Sequence, residues 1–166
     1  RAILETVKTF VDDSILPRSA ELDAKNKPED GFSWEIIEEA DKLGLRTMTL
    51  EDQYNGFGAD SLTTAMVVEE LAKGDLGISV VMAQTLKLAQ IMDKALNDEQ
   101  KARVLPEVAS DPRCLLAIGI TEPDNASNYF LPYPSSFRTT AEKTDGGWVV
   151  NGMKHFISNG TTARFY

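Results

Sequence analysis

The chain has 166 residues, 42% hydrophobic and 26% charged, and 26 acidic against 17 basic side chains give a formal net charge of -9. That balance excludes a nucleic-acid surface, which needs clustered Lys and Arg, and leaves enough apolar side chains for one ordinary domain or two small ones. One cysteine, Cys114, excludes an intrachain disulfide framework and a cysteine-based zinc site; it and the single histidine, His155, are read as structural.

From the amino terminus to Asp111 the apolar residues recur with helical spacing. Ile3, Val7, Phe10, Val11, Ile15 and Leu22 form one stripe over residues 3–22. Pro17, which lacks the donor for the preceding turn, is expected to kink or divide this helix. Ser33 caps a second helix that carries Trp34, Ile37, Ala40 and Leu43 and stops at Gly44. Residues 45–60 are irregular; Gly56-Phe57-Gly58 begins like a dinucleotide fingerprint, but Ser61 occupies the third glycine position and no strand precedes it. Ser61 is the expected cap of the next helix. Its adjacent Glu69 and Glu70 point about 100° apart and so cannot converge on one bond; they read as a solvated or ion-paired face. Asp75 caps a long apolar helix over residues 76–96, and Asn97 with Gln100 forms a capping box for a last helix, residues 98–109, interrupted or restarted at Pro106.

After Asp111-Pro112 the period changes from 3.6 to 2. A strand begins at Leu115 and runs to Thr121-Glu122-Pro123, where the proline stops the ladder and Glu122 fixes the turn. Further strands are expected over residues 137–143, at Trp148-Val149-Val150 and, after a hairpin turn at Asn151-Gly152, over residues 153–158. Thr121 and Ser158 thus stand at strand ends beside aliphatic and aromatic residues. Such an arrangement suits a flat ring with polar edges; an ordinary small β domain with polar turns has the same pattern. Both termini lie inside patterned elements, and strands this few and short rarely bury a face, so further strands after Tyr166 are expected. No apolar run approaches the roughly 20 residues of a membrane span, and the first residues lack a basic stretch followed by an apolar one. The sequence is read as a soluble, non-secreted protein, cytoplasmic in a bacterium or of the mitochondrial matrix.

Taken together, Ile118-Gly119-Ile120-Thr121-Glu122-Pro123, Ser127 and Phe156-Ile157-Ser158-Asn159-Gly160 resemble the flavin-contacting segments of the acyl-CoA dehydrogenase family. Upstream, Asp52-Gln53-Tyr54-Asn55-Gly56-Phe57-Gly58 followed by Val68-Glu69-Glu70-Leu71-Ala72 resembles that family's first domain. The resemblance covers nearly the whole chain in order. It implies an α+β multidomain fold, an N-terminal all-α helical bundle over residues 1–111 followed by the first strands of a small β-barrel domain over residues 112–166, incomplete at Tyr166. It implies FAD as cofactor, an acyl-CoA as substrate oxidised to the trans-2-enoyl form in fatty acid metabolism, an electron-transfer flavoprotein as acceptor, and a homodimer or homotetramer.

By the same resemblance, Ile118, Ile120 and Thr121 lie against the pyrimidine side of the flavin, and Thr121 bonds its polar edge. Phe156 covers one ring face beside Ile157, Ser158 places a hydroxyl near N5, and Ser127 sits near the pyrophosphate and the pantetheine of the substrate. The family's base is in most members a Glu in a carboxy-terminal helical domain, so no catalytic residue is expected in this chain. Three departures stand out. Phe156 replaces a common Trp, Asn125-Ala126-Ser127-Asn128 replaces the common Ala-Gly-Ser-Asp, and the following loop, residues 128–136, is longer and carries Tyr129, Phe130 and Tyr133. That loop is expected either to select the acyl group or to pack on a neighbouring domain or subunit. A flavin monooxygenase or nitroalkane oxidase on the same architecture, and a non-catalytic acyl-CoA or protein-binding module, remain open alternatives.

Overall fold

A computed structural model describes residues 2–27, 29–126 and 137–166. Six α-helices are followed by four short strands: α1 (Ala2–Phe10), α2 (Leu16–Asp23), α3 (Trp34–Lys42), α4 (Ser61–Gly74), α5 (Leu76–Ala95), α6 (Asp98–Ser110), β1 (Leu115–Leu116), β2 (Thr140–Thr144), β3 (Gly147–Asn151) and β4 (Ala163–Phe165). The expected all-α layer followed by the first strands is therefore present. The described strands form two separate two-stranded sheets.

The first stripe is divided as its proline requires. A π-helical segment, Val11–Ile15, joins α1 to α2, and Pro17 falls in the first turn of α2, where a missing N–H costs nothing. Val7, Phe10, Val11 and Ile15 are all buried against α4 and α5. Gly74 ends α4 at this contact: a Cβ there would lie 2.8 Å from Val11 Cγ1. Ser33 caps α3, and Asp75 and the Asn97–Gln100 box cap α5 and α6 as the sequence predicts. Two details differ. Asp60 rather than Ser61 caps α4, because its carboxylate reaches Thr63 N at 2.7 Å. The helix α6 runs unbroken through Pro106, its packing on α5 and on the loop at Asp52–Tyr54 outweighing one lost backbone bond.

Arg46 ties this layer to the strands. Fully buried, it pairs with Asp41 at 2.7 Å and donates to Val108 O at 2.5 Å, Cys114 O at 3.3 Å and Ala109 O at 3.5 Å, so it satisfies carbonyls that the end of α6 leaves open. Beyond it, β1 enters the helical core, with Leu115 and Leu116 both buried, and pairs in parallel with β4.

Sequence-predicted strands are shortened for identifiable reasons. The run expected to reach Thr121 is a strand only at Leu115–Leu116, because its partner β4 has three residues and Ala117 N to Phe165 O, at 3.0 Å, is the last bond between them. β2 starts at Thr140 rather than at 137, because the amides of Arg138 and Thr139 donate to the Glu122 carboxylate and not to a ladder. β2 and β3 form an antiparallel hairpin from Thr140↔Asn151 to Thr144↔Gly147. Asn151-Gly152 makes no hairpin turn, and residues 153–158 are not a strand. Gly152 is instead a close approach, where a Cβ would lie 2.3 Å from Thr139 Oγ1 and 2.6 Å from Thr139 Cα.

Candidate functional site

The segments 118–121 and 154–158, separated in sequence by the hairpin, lie side by side. His155 N donates to Thr121 O at 3.0 Å, and Lys154 Nζ donates to Ile120 O at 3.0 Å. Gly119 permits this approach: a Cβ there would lie 3.2 Å from Lys154 Cβ and 3.5 Å from Ile157 Cδ1. A side chain at 119 would push the two segments apart.

Five of the sequence-predicted residues present open polar or apolar groups here. The amide N–H groups of Ile118, Gly119, Ile120 and Thr121 find no acceptor among the described residues, nor do the hydroxyls of Thr121 and Ser158 bond to any. Ile118 is exposed and Ile120 and Thr121 are half-buried. Phe156 is 87% exposed and has φ 55°, a left-handed conformation that costs an aromatic residue about 1–3 kcal/mol. Its backbone turns out of the extended run at this point, which is why no strand forms over residues 153–158. The ring of His155 is 4.4 Å from that of Phe156. Ile157 is half-buried and turns inward toward Gly119. Ser127 and the loop 128–136 lie outside the described residues.

A carboxylate and an ammonium that the sequence left without this role brace the site. Glu122, 4% exposed, accepts from Lys154 Nζ at 2.7 Å and Thr139 N at 3.0 Å through Oε1, and from Arg138 N at 2.6 Å through Oε2. The Lys154 ammonium first, then the Thr139 and Arg138 groups, lower its pKa to about 2. The turn Glu122–Asn125 is closed by its backbone, Glu122 N to Asn125 O at 2.7 Å, so the side chain is left to bond elsewhere. The available signal was a lone Glu in one motif and a lone Lys in the other.

Asn159 fastens the same region to the helices. In a left-handed conformation at φ 63°, it directs Nδ2 to Leu116 O at 3.0 Å and Val81 O at 3.2 Å. Cys114 is inert packing, its thiol pushed up to about 11 by burial. No group of metal-ligating side chains occurs among the described residues, and no helix among them is long and apolar enough to cross a membrane.

The described residues thus form a helical layer that feeds two short strand pairs, with an open donor edge at their junction. The model for "Acyl-CoA dehydrogenase, N-terminal domain" matches residues 1–112. The chain belongs to the acyl-CoA dehydrogenase family. It is 31% identical over 161 residues to an acyl-CoA dehydrogenase of Bacillus subtilis, covering 96% of this chain and 40% of that protein. It is similar to the crystal structure of glutaryl-CoA dehydrogenase from Mycobacterium smegmatis, with TM-score 0.80 and 32% identity over 98% of this chain and 40% of that one. A second structure of a glutaryl-CoA dehydrogenase from that organism, in complex with FADH2, matches with TM-score 0.81 and 28% identity over the same shares, 98% and 40%. The chain thus spans about two fifths of the length of the relatives it matches.

Proposed function

We propose that the protein acts in FAD-dependent α,β-dehydrogenation of an acyl-CoA thioester to the trans-2-enoyl-CoA. The observation that supports this most directly is the juxtaposition of segments 118–121 and 154–158, one offering a row of open amides and a hydroxyl, the other an exposed aromatic face and a second hydroxyl. These groups fit a flat ring with acceptors along one edge: the open donors need partners, and Phe156 holds its ring out in a strained backbone geometry. Bound FAD would supply the acceptor for the β hydrogen as hydride, with the α proton passing to a base and the electron pair of the α C–H bond forming the new double bond.

In this reading the chain's own residues bind and orient. Thr121 Oγ1 and the amides of Ile118, Ile120 and Thr121 hold the polar edge of the flavin. Phe156 covers its face and excludes water, Ile157, turned toward Gly119, backs the segment that meets it, and Ser158 holds a hydroxyl near N5. Ser127 serves the pyrophosphate and the pantetheine. None of the carboxylates described takes the α proton at this site: Glu122, which stands nearest, is saturated with donors and held ionised far below the pH at which a general base works. Residues 1–111 form the helical domain and 112–166 the beginning of the β domain. An electron-transfer flavoprotein reoxidises the enzyme, which assembles as a homodimer or homotetramer.

Anaerobic addition of acyl-CoA thioesters to the yellow protein tests the reading; bleaching is expected, and a flavin that stays oxidised with every chain length would overturn the reaction. Replacing Thr121 with Val removes one ring-bonding hydroxyl and is expected to cost about 0.5–1.5 kcal/mol of FAD binding. Unchanged FAD affinity and an unchanged flavin spectrum in that variant would remove Thr121 from the site.

A further inference from the structure

We infer that Glu122 and Lys154 form an ionic clamp that sets the spacing of the two flavin-contacting segments, and that both are positioning residues for the flavin. The inference rests on the flavin reading above and concerns what fixes the geometry of that site. No β-ladder joins segments 118–121 and 154–158; His155 N to Thr121 O is their only backbone bond among the described residues. Their separation is therefore decided by side chains.

Lys154 supplies most of that bracing. Its stem lies on Gly119 with a would-be Cβ contact of 3.2 Å, its ammonium bonds Ile120 O and the Glu122 carboxylate, and it stands 4.4 Å from the centre of the Phe137 ring. Glu122 in turn gathers the amides of Arg138 and Thr139, so three stretches of chain converge on one carboxylate. The Lys154 side chain is 26% exposed and that of Glu122 3%. An ion pair so far removed from water gives little net stability over an apolar pair of the same shape, and its clearest gain is a unique geometry. The beneficiaries are one residue from Glu122 and two from Lys154, namely Thr121 and Phe156. A small displacement of either residue would misplace the hydroxyl or ring proposed to meet the flavin.

The other charges nearby belong elsewhere. Arg138 pairs with Asp124 at 2.9 Å on the surface and contributes only its amide to the clamp. His155 contributes its backbone N–H.

The test uses the purified flavoprotein with four variants: Glu122→Gln, Lys154→Met, the double variant, and Lys154→Arg. FAD dissociation constants, the absorbance spectrum of bound flavin and the Tm of the flavin-free protein are measured on each. Either single change is expected to weaken FAD by about tenfold and to shift the spectrum; the double variant is expected to be no worse than the poorer single, and Lys154→Arg to recover most of the affinity. Lys154→Met keeps the carboxylate and its two backbone donors, so it reports even if Glu122→Gln fails to fold. Variants that lower Tm but leave FAD affinity and the flavin spectrum at wild-type values would overturn the clamp while Thr121→Val still tests the flavin reading. A wild-type protein that takes up no FAD would overturn that reading, and the clamp with it.

Discussion

Arg46 and Glu122 are the two buried charged side chains among the described residues, and they hold the two halves of the molecule in different ways. Arg46 finishes what secondary structure leaves undone, bonding carbonyls near the end of α6 and the start of β1 inside a core already packed by Leu50, Leu105 and Val108. Glu122 replaces secondary structure, since segments 118–121, 137–139 and 154–158 form no ladder with one another. The helical half is thus shaped by apolar periodicity with a buried charge as fastener. The site half is shaped by polar contacts between distant residues, with glycines allowing the approach.

The most damaging single change is expected to be Arg46→Ala. It strands the Val108 and Cys114 carbonyls and the Asp41 carboxylate, while Ala109 O keeps Asn55 Nδ2, and should cost about 3–5 kcal/mol in urea denaturation, toward the lower value because the Asp41 side chain keeps 24% exposure. Loss of well under 1 kcal/mol would show that the apolar core alone holds α6 to β1. On the other side, Gly152→Ala forces a methyl into Thr139 and should cost about 1–3 kcal/mol, while near-native helical circular dichroism persists. Coincident loss of the helices would mean that the two halves are one cooperative unit.

A smaller effect belongs to the surface of the helical half. Asn97→Ala removes a cap bonded to Gln100 N at 2.9 Å and should cost about 1 kcal/mol, with faster amide exchange confined to the first turn of α6. The last effect is present in full at neutral pH and disappears in acid. Glu122 has its folded pKa lowered from 4.5 to about 2, so its contribution is complete above about pH 4.5 and is lost as pH falls toward 2. The stability difference between wild type and Glu122→Gln should therefore be constant at higher pH and shrink through that window. A difference that stays flat to pH 3 would place the carboxylate outside the clamp.

The helical half was legible because its signals are local. Ser33, Asp75 and Asn97 each bond an amide three residues on, and the stripe from Val7 to Ile15 lies within two turns. Two details went astray: the one-residue choice between Asp60 and Ser61, two good cap formers side by side, and the interruption expected at Pro106, which α6 runs through. The site half was legible as motifs but not as strands. What ends each strand lies far away in sequence: Glu122 takes the amides at 138 and 139, Thr139 fills the space beside Gly152, and Asn159 reaches Val81. Asn151-Gly152 read as a turn because glycine marks turns and close approaches alike, and no pattern of neighbours distinguishes the two. Arg46 gave no signal at all, since it lies in an irregular stretch and its acceptors are backbone atoms.

The parallel pairing of β1 with β4 sets an order of events. Leu115 and Ala163 are register partners, so residues 117–162, which carry every segment of the candidate site, form one long loop closed by a strand pair two or three residues wide. Closing such a loop loses chain entropy before any contact inside it is gained, whereas α4 and α5 are neighbours in sequence and assemble quickly. The helical layer is thus the template and the site its last-formed part. The pair itself is narrow: Ala117 N donates to Phe165 O at 3.0 Å, and Tyr166 Oη donates to Gly160 O at 2.7 Å. Fraying at β4 would loosen Asn159 and release the segment bearing Phe156 and Ser158 with the helices still folded, so the site's integrity is a matter of local opening rather than of global stability.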